Sequence, residues 1–358
     1  MEEKIKRLTR FKNLPEIPIH KHWLEDGRTT PEFLAHQKLG KENLTVADLK
    51  VFWDITDFFK ELNRLLPSVK YTEFSEQDFI NFRNYILFAF NMTGVMWDDL
   101  TIYQMYRLVV NEEVNPCYPS SSLTHIDQLS YPKLDIVKRN GLYNRANTPN
   151  STVFYSCESI DTALREKQPK SNKLVTVGVW KPKKISPTEH KLFITYPISE
   201  SDEAMKVNDG VRAATLAGRN RFKNTGAYAE YILSFNKVLG REFTKKIDRT
   251  KINSQFEYYL SGVFSEQLLI QSDIPNFVNY DCINYPSVEN NYCTDNFAFR
   301  TDVIHKDFYL DGAIEFEVDV PMYDKPYIPH RPDVITLAKI KKSRVTRMVD
   351  NQSGKIYW

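Results

Sequence analysis

Residues 141–166 have the sequence GLYNRANTPNSTVFYSCESIDTALRE, and the fold is predicted outward from them. This stretch begins as a turn-rich loop, continues as a short apolar strand at Val153–Tyr155, and then enters a helix. Ser159 is placed at the helix N-cap, where its hydroxyl can accept a hydrogen bond from a backbone N–H of the first turn. The stretch therefore predicts a strand that leads into a short helix, and the inner end of that helix carries Glu166.

Strands and helices alternate irregularly on either side of this stretch. Asp98 and Asp99 are interpreted as a turn before the first strand. Alternating or β-branched apolar residues predict strands at 102–110, 174–180, 283–285, 296–299 and 314–320. Helical spacing predicts a polar helical insertion at roughly 199–239 and a helix at 256–270. Since there is no regular strand–helix–strand repeat, the pattern favours a mixed α+β domain over a doubly wound nucleotide fold.

The first 98 residues differ from the rest. Residues 1–40 contain three prolines and predict an irregular arm, while 43–67 and 75–94 predict two helices with aromatic-rich faces. We therefore divide the chain into an N-terminal arm and helical region at 1–98 and a second domain at 99–358. That domain carries the helical insertion near 199–240.

Charge and glycine content exclude several functional classes. Lys and Arg total 48 against 46 Asp and Glu, a formal charge of +2, so we expect no nucleic-acid surface. Only 12 glycines occur in 358 residues, and no two of them lie two, four or five positions apart. That spacing excludes the G-x-G-x-x-G fingerprint, the P-loop and the G-x-S-x-G nucleophile elbow. A site in this chain that binds phosphate must use side chains instead of a glycine-rich backbone loop.

Targeting signals and cysteine pairs are also missing from the sequence. The N-terminal residues MEEKIKRLTRFKNLPEIPI contain charges and no apolar segment of the signal-peptide type. The apolar stretches are far shorter than the ~18 residues of a membrane helix. The four cysteines form no C-x-x-C pair, so we expect reduced thiols and no structural zinc. These features predict a cytoplasmic protein that does not insert into membranes.

The opening stretch and a second one, YDCINYPS at 280–287, together resemble the RES domain family, which is named for its Arg, Glu and Ser. In that family an arginine lies in a loop, a tyrosine lies in a Phe-Tyr strand, a glutamate ends a helix and a serine follows a strand. The corresponding residues of this chain are Arg145, Tyr155, Glu166 and Ser287, with Arg107 as the counterpart of an arginine on the first strand. The resemblance covers about residues 100–310.

The resemblance implies an ADP-ribosyltransferase-like fold and an enzyme that consumes NAD⁺ as its substrate and requires no cofactor. Such proteins often act as toxins, so the expected partners are an antitoxin or inhibitor protein and, for a transferase, a protein acceptor. Two positions depart from the family pattern, where glycine is usual: Asn144 precedes the arginine and Cys282 lies in the strand before the serine. They leave an alternative, an inactive RES-like module that binds a nucleotide or a protein.

Each candidate residue has a chemical role in this interpretation. Cleavage of the nicotinamide–ribose bond develops positive charge on the ribose, which the carboxylate of Glu166 would stabilise. The guanidinium groups of Arg145 and Arg107 would bind the pyrophosphate. Tyr155 would stack on the nicotinamide ring, and Ser287 would hydrogen-bond the ribose or the carboxamide.

Two further sequence patterns have the spacing of known metal or catalytic sites. His20 and His22 have metal-ligand spacing but no partner ligands nearby in the sequence, so we interpret them as part of the arm. Glu315 and Glu317 form an E-x-E pair like that of arginine-modifying ADP-ribosyltransferases. Residues 314–320 alternate with period two, however, which predicts a half-buried strand whatever their chemistry.

Overall fold

The computed structural model describes residues 96–184, 192–196, 202–223, 228–248, 250–251, 254–270, 279–326 and 331–358, with isolated positions at 60, 64, 74, 75 and 83. Apart from those isolated positions, the predicted arm at 1–40 and the predicted helices at 43–67 and 75–94 lie outside the described residues. His20 and His22 lie outside them as well.

A large mixed sheet forms the centre of the described chain. Its strands are β1 (Met96–Leu100), β2 (Met105–Val110), β3 (Phe154–Cys157), β4 (Leu174–Pro182), β5 (Leu192–Tyr196), β6 (Cys282–Pro286), β7 (Asp295–Phe299), β8 (Phe308–Pro321) and β9 (Ala338–Val345). They are ordered β1-β5-β6-β7-β3-β2-β4-β8-β9, and only the β5–β6 pair is parallel. Two short strands, β10 (Met348–Asp350) and β11 (Lys355–Tyr357), pair separately.

Helices flank this sheet. They are α1 (Asn111–Val114), α2 (Leu134–Asn140), α3 (Ile160–Lys167), α4 (Asp202–Val207), α5 (Asp209–Lys223), α6 (Tyr228–Thr244), α7 (Tyr259–Leu269) and α8 (Thr301–Asp307). Short 3-10 helices occupy Ile126–Leu129 and Ser254–Tyr258. No helix in the described part of the chain combines the length and apolar character needed to span a bilayer.

The two faces of the sheet bury separate apolar cores. Strand β2 contributes to both, because its side chains alternate: Met105 and Val109 enter one core, while Tyr106 and Leu108 enter the other. The first core also contains Phe154, Trp180, Phe299 and Phe308, whose rings meet edge to face. In the second core, apolar residues of α3 pack against β2, β4 and β8. This packing fixes α3, and with it Glu166, on one face of the sheet.

The α+β prediction is confirmed: the chain forms a large, mostly antiparallel sheet with flanking helices. Residues 256–270 form a 3-10 turn followed by α7, and helices α4 to α6 lie in the region predicted as a helical insertion. The turn assigned to Asp98 and Asp99 is wrong, because both residues lie in β1 and pair with β5. Local sequence did not reveal this strand because its partner lies about a hundred residues further along the chain.

Candidate functional site

The sheet opens between β2 and β3. These neighbouring strands share a single residue pair, Tyr106 with Cys157, whereas β2 pairs with β4 over six residues. A cavity of about 530 Å³ lies here, lined by parts of both strands and by residues of α3, β6, β7, the 142–147 loop and the 3-10 helix Ser254–Tyr258. Its volume is within the range typical of sites for small molecules.

Four of the five predicted site residues line this one cavity: Arg107, Arg145, Tyr155 and Glu166. The fifth, Ser287, is fully buried and lies behind Glu166, to which its side chain is hydrogen-bonded. The fold thus brings together residues that are up to 180 positions apart in the chain. Ser287 is therefore linked to the cavity through its hydrogen bond to Glu166.

Glu166 lies in the last turn of α3. The helix begins as predicted, because the Ser159 hydroxyl accepts a hydrogen bond from the backbone N–H of Thr162. Two neutral donors bind the same carboxylate oxygen, Oε1: the Ser287 hydroxyl and the Asn296 side-chain amide, each at 2.7 Å. Because these donors come from β7 and from the turn after β6, the carboxylate is oriented by parts of the chain outside its own helix.

Tyr155 uses its hydroxyl group within the protein. The hydroxyl donates to the Asn147 side-chain oxygen at 2.8 Å and accepts from the backbone N–H of Ala146 at 2.9 Å. Burial raises the pKa of the Tyr155 hydroxyl well above its usual value, so the group stays protonated. Tyr155 therefore fixes the turn that carries Arg145, and its ring forms part of the cavity wall.

Arg107 lies at the opening between β2 and β3. Its Nη1 donates to the carbonyl oxygen of Tyr155 at 2.8 Å, and its guanidinium group lies 5.2 Å from the centre of the Phe154 ring. Burial lowers the pKa of Arg107 to about 10, so the side chain remains charged at neutral pH. Its Nε atom is buried and has no hydrogen-bond partner among the described residues.

Arg145 connects the cavity to the helical insertion. Its Nη1 donates to the carbonyl oxygen of Phe243 at 2.7 Å, and both Nη atoms lie 3.3–3.4 Å from that of Lys245. These carbonyls belong to the C-terminal end of α6, where a cation is favourable. The guanidinium group also stacks 5.0 Å from the centre of the Tyr258 ring.

The cavity wall carries cations beside the carboxylate of Glu166. Within the described part of the chain, neither Arg107 nor Arg145 forms an ion pair with a carboxylate, and both guanidinium groups donate to backbone carbonyls. A third cation on the wall, Lys167, pairs with Glu113 at 2.6 Å. Two arginines without a carboxylate partner, set in a partly closed space, attract negatively charged groups.

The loop with Arg145 packs closely against α7. A side-chain carbon at Gly262 would lie 2.9 Å from the carbonyl oxygen of Asn147, so only glycine allows this approach. Next to it, the buried Glu266 accepts a hydrogen bond from Thr148 at 2.7 Å. The position of the loop is therefore set by helix packing as well as by Tyr155.

Sequence reasoning missed several residues of the site. The cavity is lined by aromatic side chains besides Tyr155, namely Tyr106, Tyr143, Tyr258 and Tyr285. Sequence reasoning also missed the role of Asn296, although Asn296 is a polar residue within the apolar strand Asn-Phe-Ala-Phe. The resemblance to the RES family selects the residues that give that family its name, and Asn296 is not one of them.

The E-x-E pair lies elsewhere. Glu315 is buried on β8 and accepts hydrogen bonds from Asn111 and Ser122, while Arg344 binds its Oε1 through two nitrogens at 2.7 and 2.8 Å. Glu317 pairs with Lys341 and Lys342. Both glutamates thus form ion pairs within the sheet.

A pair of half-buried carboxyl groups, Glu158 and Asp295, lies beside the cavity at neighbouring strand ends. Asp295 accepts hydrogen bonds from Asn208 and Asn284, and burial raises its pKa. Burial and the charge of Asp295 together raise the pKa of Glu158 to about 7. Through Asn208, this pair connects the start of α5 to β7.

Comparison of the chain with models of known protein families, with curated proteins and with solved structures finds no match.

Proposed function

We propose that this chain is an NAD⁺-consuming enzyme that cleaves the bond between nicotinamide and ribose, on an ADP-ribosyltransferase-like fold of the RES type. The observation that carries the proposal is the shared cavity, in which Glu166 is accompanied by Arg107, Arg145 and Tyr155. A carboxylate, two cations and aromatic walls within one space match the parts of a dinucleotide. The resemblance of the local sequence to the RES family supports the same assignment.

The reaction assigns a part to each group. As the bond between nicotinamide and ribose C1′ breaks, its electron pair leaves with the ring nitrogen and neutral nicotinamide departs. The ribose then carries positive charge, which the oriented carboxylate of Glu166 stabilises. An acceptor with a lone pair forms the new bond at C1′ and loses its proton, for which Glu166 is a base. Water, phosphate or a protein side chain can serve as that acceptor.

Substrate binding would rest on the arginines and the aromatic wall. The charge of Arg107 and Arg145 favours the pyrophosphate, and the tyrosines offer faces for the nicotinamide or adenine ring. Ser287 would act through Glu166, since its hydroxyl group is bound to that carboxylate. In this scheme NAD⁺ is the substrate and no cofactor takes part.

The test is to incubate the purified chain with NAD⁺ and to measure nicotinamide release with water, phosphate or cell lysate as the source of acceptor. The masses of the products separate ADP-ribose, its phosphorylated form and a modified protein. We expect release in at least one condition. If NAD⁺ raises the melting temperature but no nicotinamide is released, the chain is the binding module of the alternative hypothesis and the enzymatic proposal fails.

A toxin-like role in the cytoplasm would follow from consumption of NAD⁺. Expression of the chain without a protective partner should then lower cellular NAD⁺ and slow growth, and an antitoxin or inhibitor protein should restore both. The matched control is expression of Glu166→Gln at the same level. Normal growth and normal NAD⁺ with confirmed expression of the wild-type chain would contradict this role.

A further inference from the structure

We infer that Asn296 is a positioning residue for Glu166, an inference that rests on the proposed function. Asn296 lies at the second position of β7 and lines the cavity, and its side chain is almost fully buried. Its Nδ2 donates to Glu166 Oε1 at 2.7 Å. Asn296 thus contacts the carboxylate that would face the reacting sugar, and we assign it no contact with the substrate.

The backbone of Asn296 is fixed from both sides. It pairs with Cys157 of β3 on one side and with Tyr285 of β6 on the other. Its amide can therefore move only by rotation of two side-chain bonds. Glu166, by contrast, has a longer side chain and lies in the last turn of a helix of eight residues. Of the two partners, the strand residue is the rigid one, so Asn296 sets the position of the carboxylate.

Ser287 completes the arrangement. Its hydroxyl group donates to the same oxygen, Oε1, and accepts from the backbone N–H of Asn290 at 3.2 Å. Two donors on one oxygen fix the orientation of the carboxylate plane as well as its position. Asn296 and Ser287 therefore both orient the carboxylate of Glu166.

The hydrogen bonds of Asn296 indicate a role beyond stability. Its Oδ1 is buried and has no hydrogen-bond partner among the described residues. A buried polar atom without a partner lowers stability, and such atoms in native proteins call for an explanation. In this amide only the donor side is satisfied, and that donor side binds Glu166.

A second buried asparagine provides the contrast. The side chain of Asn111 also donates to a buried glutamate, Glu315, at 3.1 Å. Its Nδ2 additionally binds the carbonyl oxygen of Ser121, and its Oδ1 accepts from Thr176 at 2.7 Å. Both ends of this amide are satisfied, as expected for a residue that stabilises the fold.

The test compares Asn296→Leu with Asn111→Leu, which remove the same amide from similar surroundings. We expect Asn296→Leu to lower kcat for nicotinamide release about 100-fold, since misplacement of a catalytic group by about 1 Å has an effect of that size. KM for NAD⁺ and the melting temperature should change little. Asn111→Leu should instead lower the melting temperature and leave kcat of the folded protein unchanged.

A second variant covers the case in which leucine disturbs the cavity. Asn296→Asp keeps the shape of the side chain but places a carboxyl group against Glu166. The two groups cannot both be ionised without repulsion, so they will share a proton at lower pH, and the shared proton restores a donor to Glu166. The kcat of this variant should therefore rise as the pH falls from about 8 to about 6, relative to wild type.

The outcomes are distinct. If the wild-type chain releases nicotinamide and both Asn296 variants keep its kcat at every pH, the inference about Asn296 is overturned while the proposed function stands. If Asn296→Leu loses activity only in proportion to a loss of folded protein, the residue is structural and the inference is overturned as well. A wild-type chain that releases no nicotinamide overturns both proposals.

Discussion

Two glutamates of this chain are bound by the same kinds of neutral donor and still differ in what surrounds them. Glu166 accepts hydrogen bonds from Ser287 and Asn296, and Glu315 accepts them from Ser122 and Asn111. Glu315 is 3% exposed and is also bound by Arg344 through two nitrogens. Glu166 is partly exposed and lines a cavity whose arginines bind backbone carbonyls.

Donor chemistry alone therefore does not distinguish a structural carboxylate from a reactive one. The charge of Glu315 is neutralised by a neighbouring cation, so the group contributes to the sheet. The Ser287–Asn296 pair orients Glu166 without supplying positive charge. Both glutamates line cavities, of about 530 Å³ at Glu166 and about 660 Å³ at Glu315, but Glu315 is almost fully buried against Arg344, whereas Glu166 is partly exposed to its cavity. A charge that develops on a ligand in that cavity is what Glu166 is placed to stabilise.

We expect the largest effect when the charge of Glu166 is removed, and the same change at Glu315 is the comparison. Glu166→Gln should lower kcat for nicotinamide release about 1,000-fold, because the developing charge on the ribose loses its carboxylate. Glu315→Gln should leave kcat unchanged and lower the free energy of unfolding by about 1–2 kcal/mol. The measurements are steady-state kinetics and chemical denaturation. Equal losses of activity in both variants would remove the distinction between the two glutamates.

The cation on Glu315 offers the next test. Arg344→Met keeps apolar contact with the Trp358 ring, over which the guanidinium group lies at 4.8 Å. It leaves Glu315 buried and without the arginine, so we expect the free energy of unfolding to fall by about 3 kcal/mol. Nicotinamide release by the folded protein should not change. A stability equal to that of wild type would show that the neutral donors suffice at Glu315.

The loop that carries Arg145 in the Glu166 cavity can be displaced by a substitution at Gly262. Gly262→Ala places a carbon 2.9 Å from the carbonyl oxygen of Asn147, so the loop with Arg145 or the helix α7 must shift. We expect a loss of about 1–3 kcal/mol in the free energy of unfolding and a higher KM for NAD⁺. The matched control is Gly312→Ala on β8, where the nearest atom is the side-chain oxygen of Thr346 at 3.3 Å. Equal KM values for the two variants would contradict the role of the loop.

The parts of this fold that could be predicted from sequence are those set by neighbouring residues. The N-cap at Ser159 and the strand before it depend on side chains a few positions apart, and both are confirmed. The predicted strand at 314–320 lies within β8, but its half-buried alternation is only partly observed, because Glu315 is buried next to Phe316 and Val320 is exposed. The pairing of β1 with β5 and the contact of Arg145 with Phe243 depend on residues about a hundred positions apart. No local pattern encodes such contacts, since they follow from how the whole sheet assembles.

The candidate site shows the same division. Sequence resemblance selected Arg107, Arg145, Tyr155, Glu166 and Ser287, and the fold brings four of them to one cavity with the fifth behind it. What resemblance could not supply is the partner of each group. The backbone carbonyls on Arg145 and the amide on Glu166 become visible only once β7 and α6 have been placed in space.

A third carboxyl group, Glu158, differs from both glutamates, and the change expected there is small. Glu158 lies near Asp295, and burial together with that neighbouring charge raises its pKa to about 7. The folded chain therefore retains a proton on Glu158 at pH values where the unfolded chain, with an ordinary carboxyl pKa, has lost it. Stability from this group is fully present below the unfolded pKa of about 4.5 and decreases as the pH rises towards about 7.

Glu158→Gln removes this proton linkage. Relative to the variant, wild type should lose about 2 kcal/mol of unfolding free energy between about pH 5 and pH 7.5 and stay level above that range. Denaturation curves at several pH values measure the difference, and Glu113→Gln, on an exposed carboxyl that pairs with Lys167, is the control. Parallel pH dependence of wild type and Glu158→Gln would show that Glu158 is solvated in the folded chain. The raised pKa of Glu158 would then be absent.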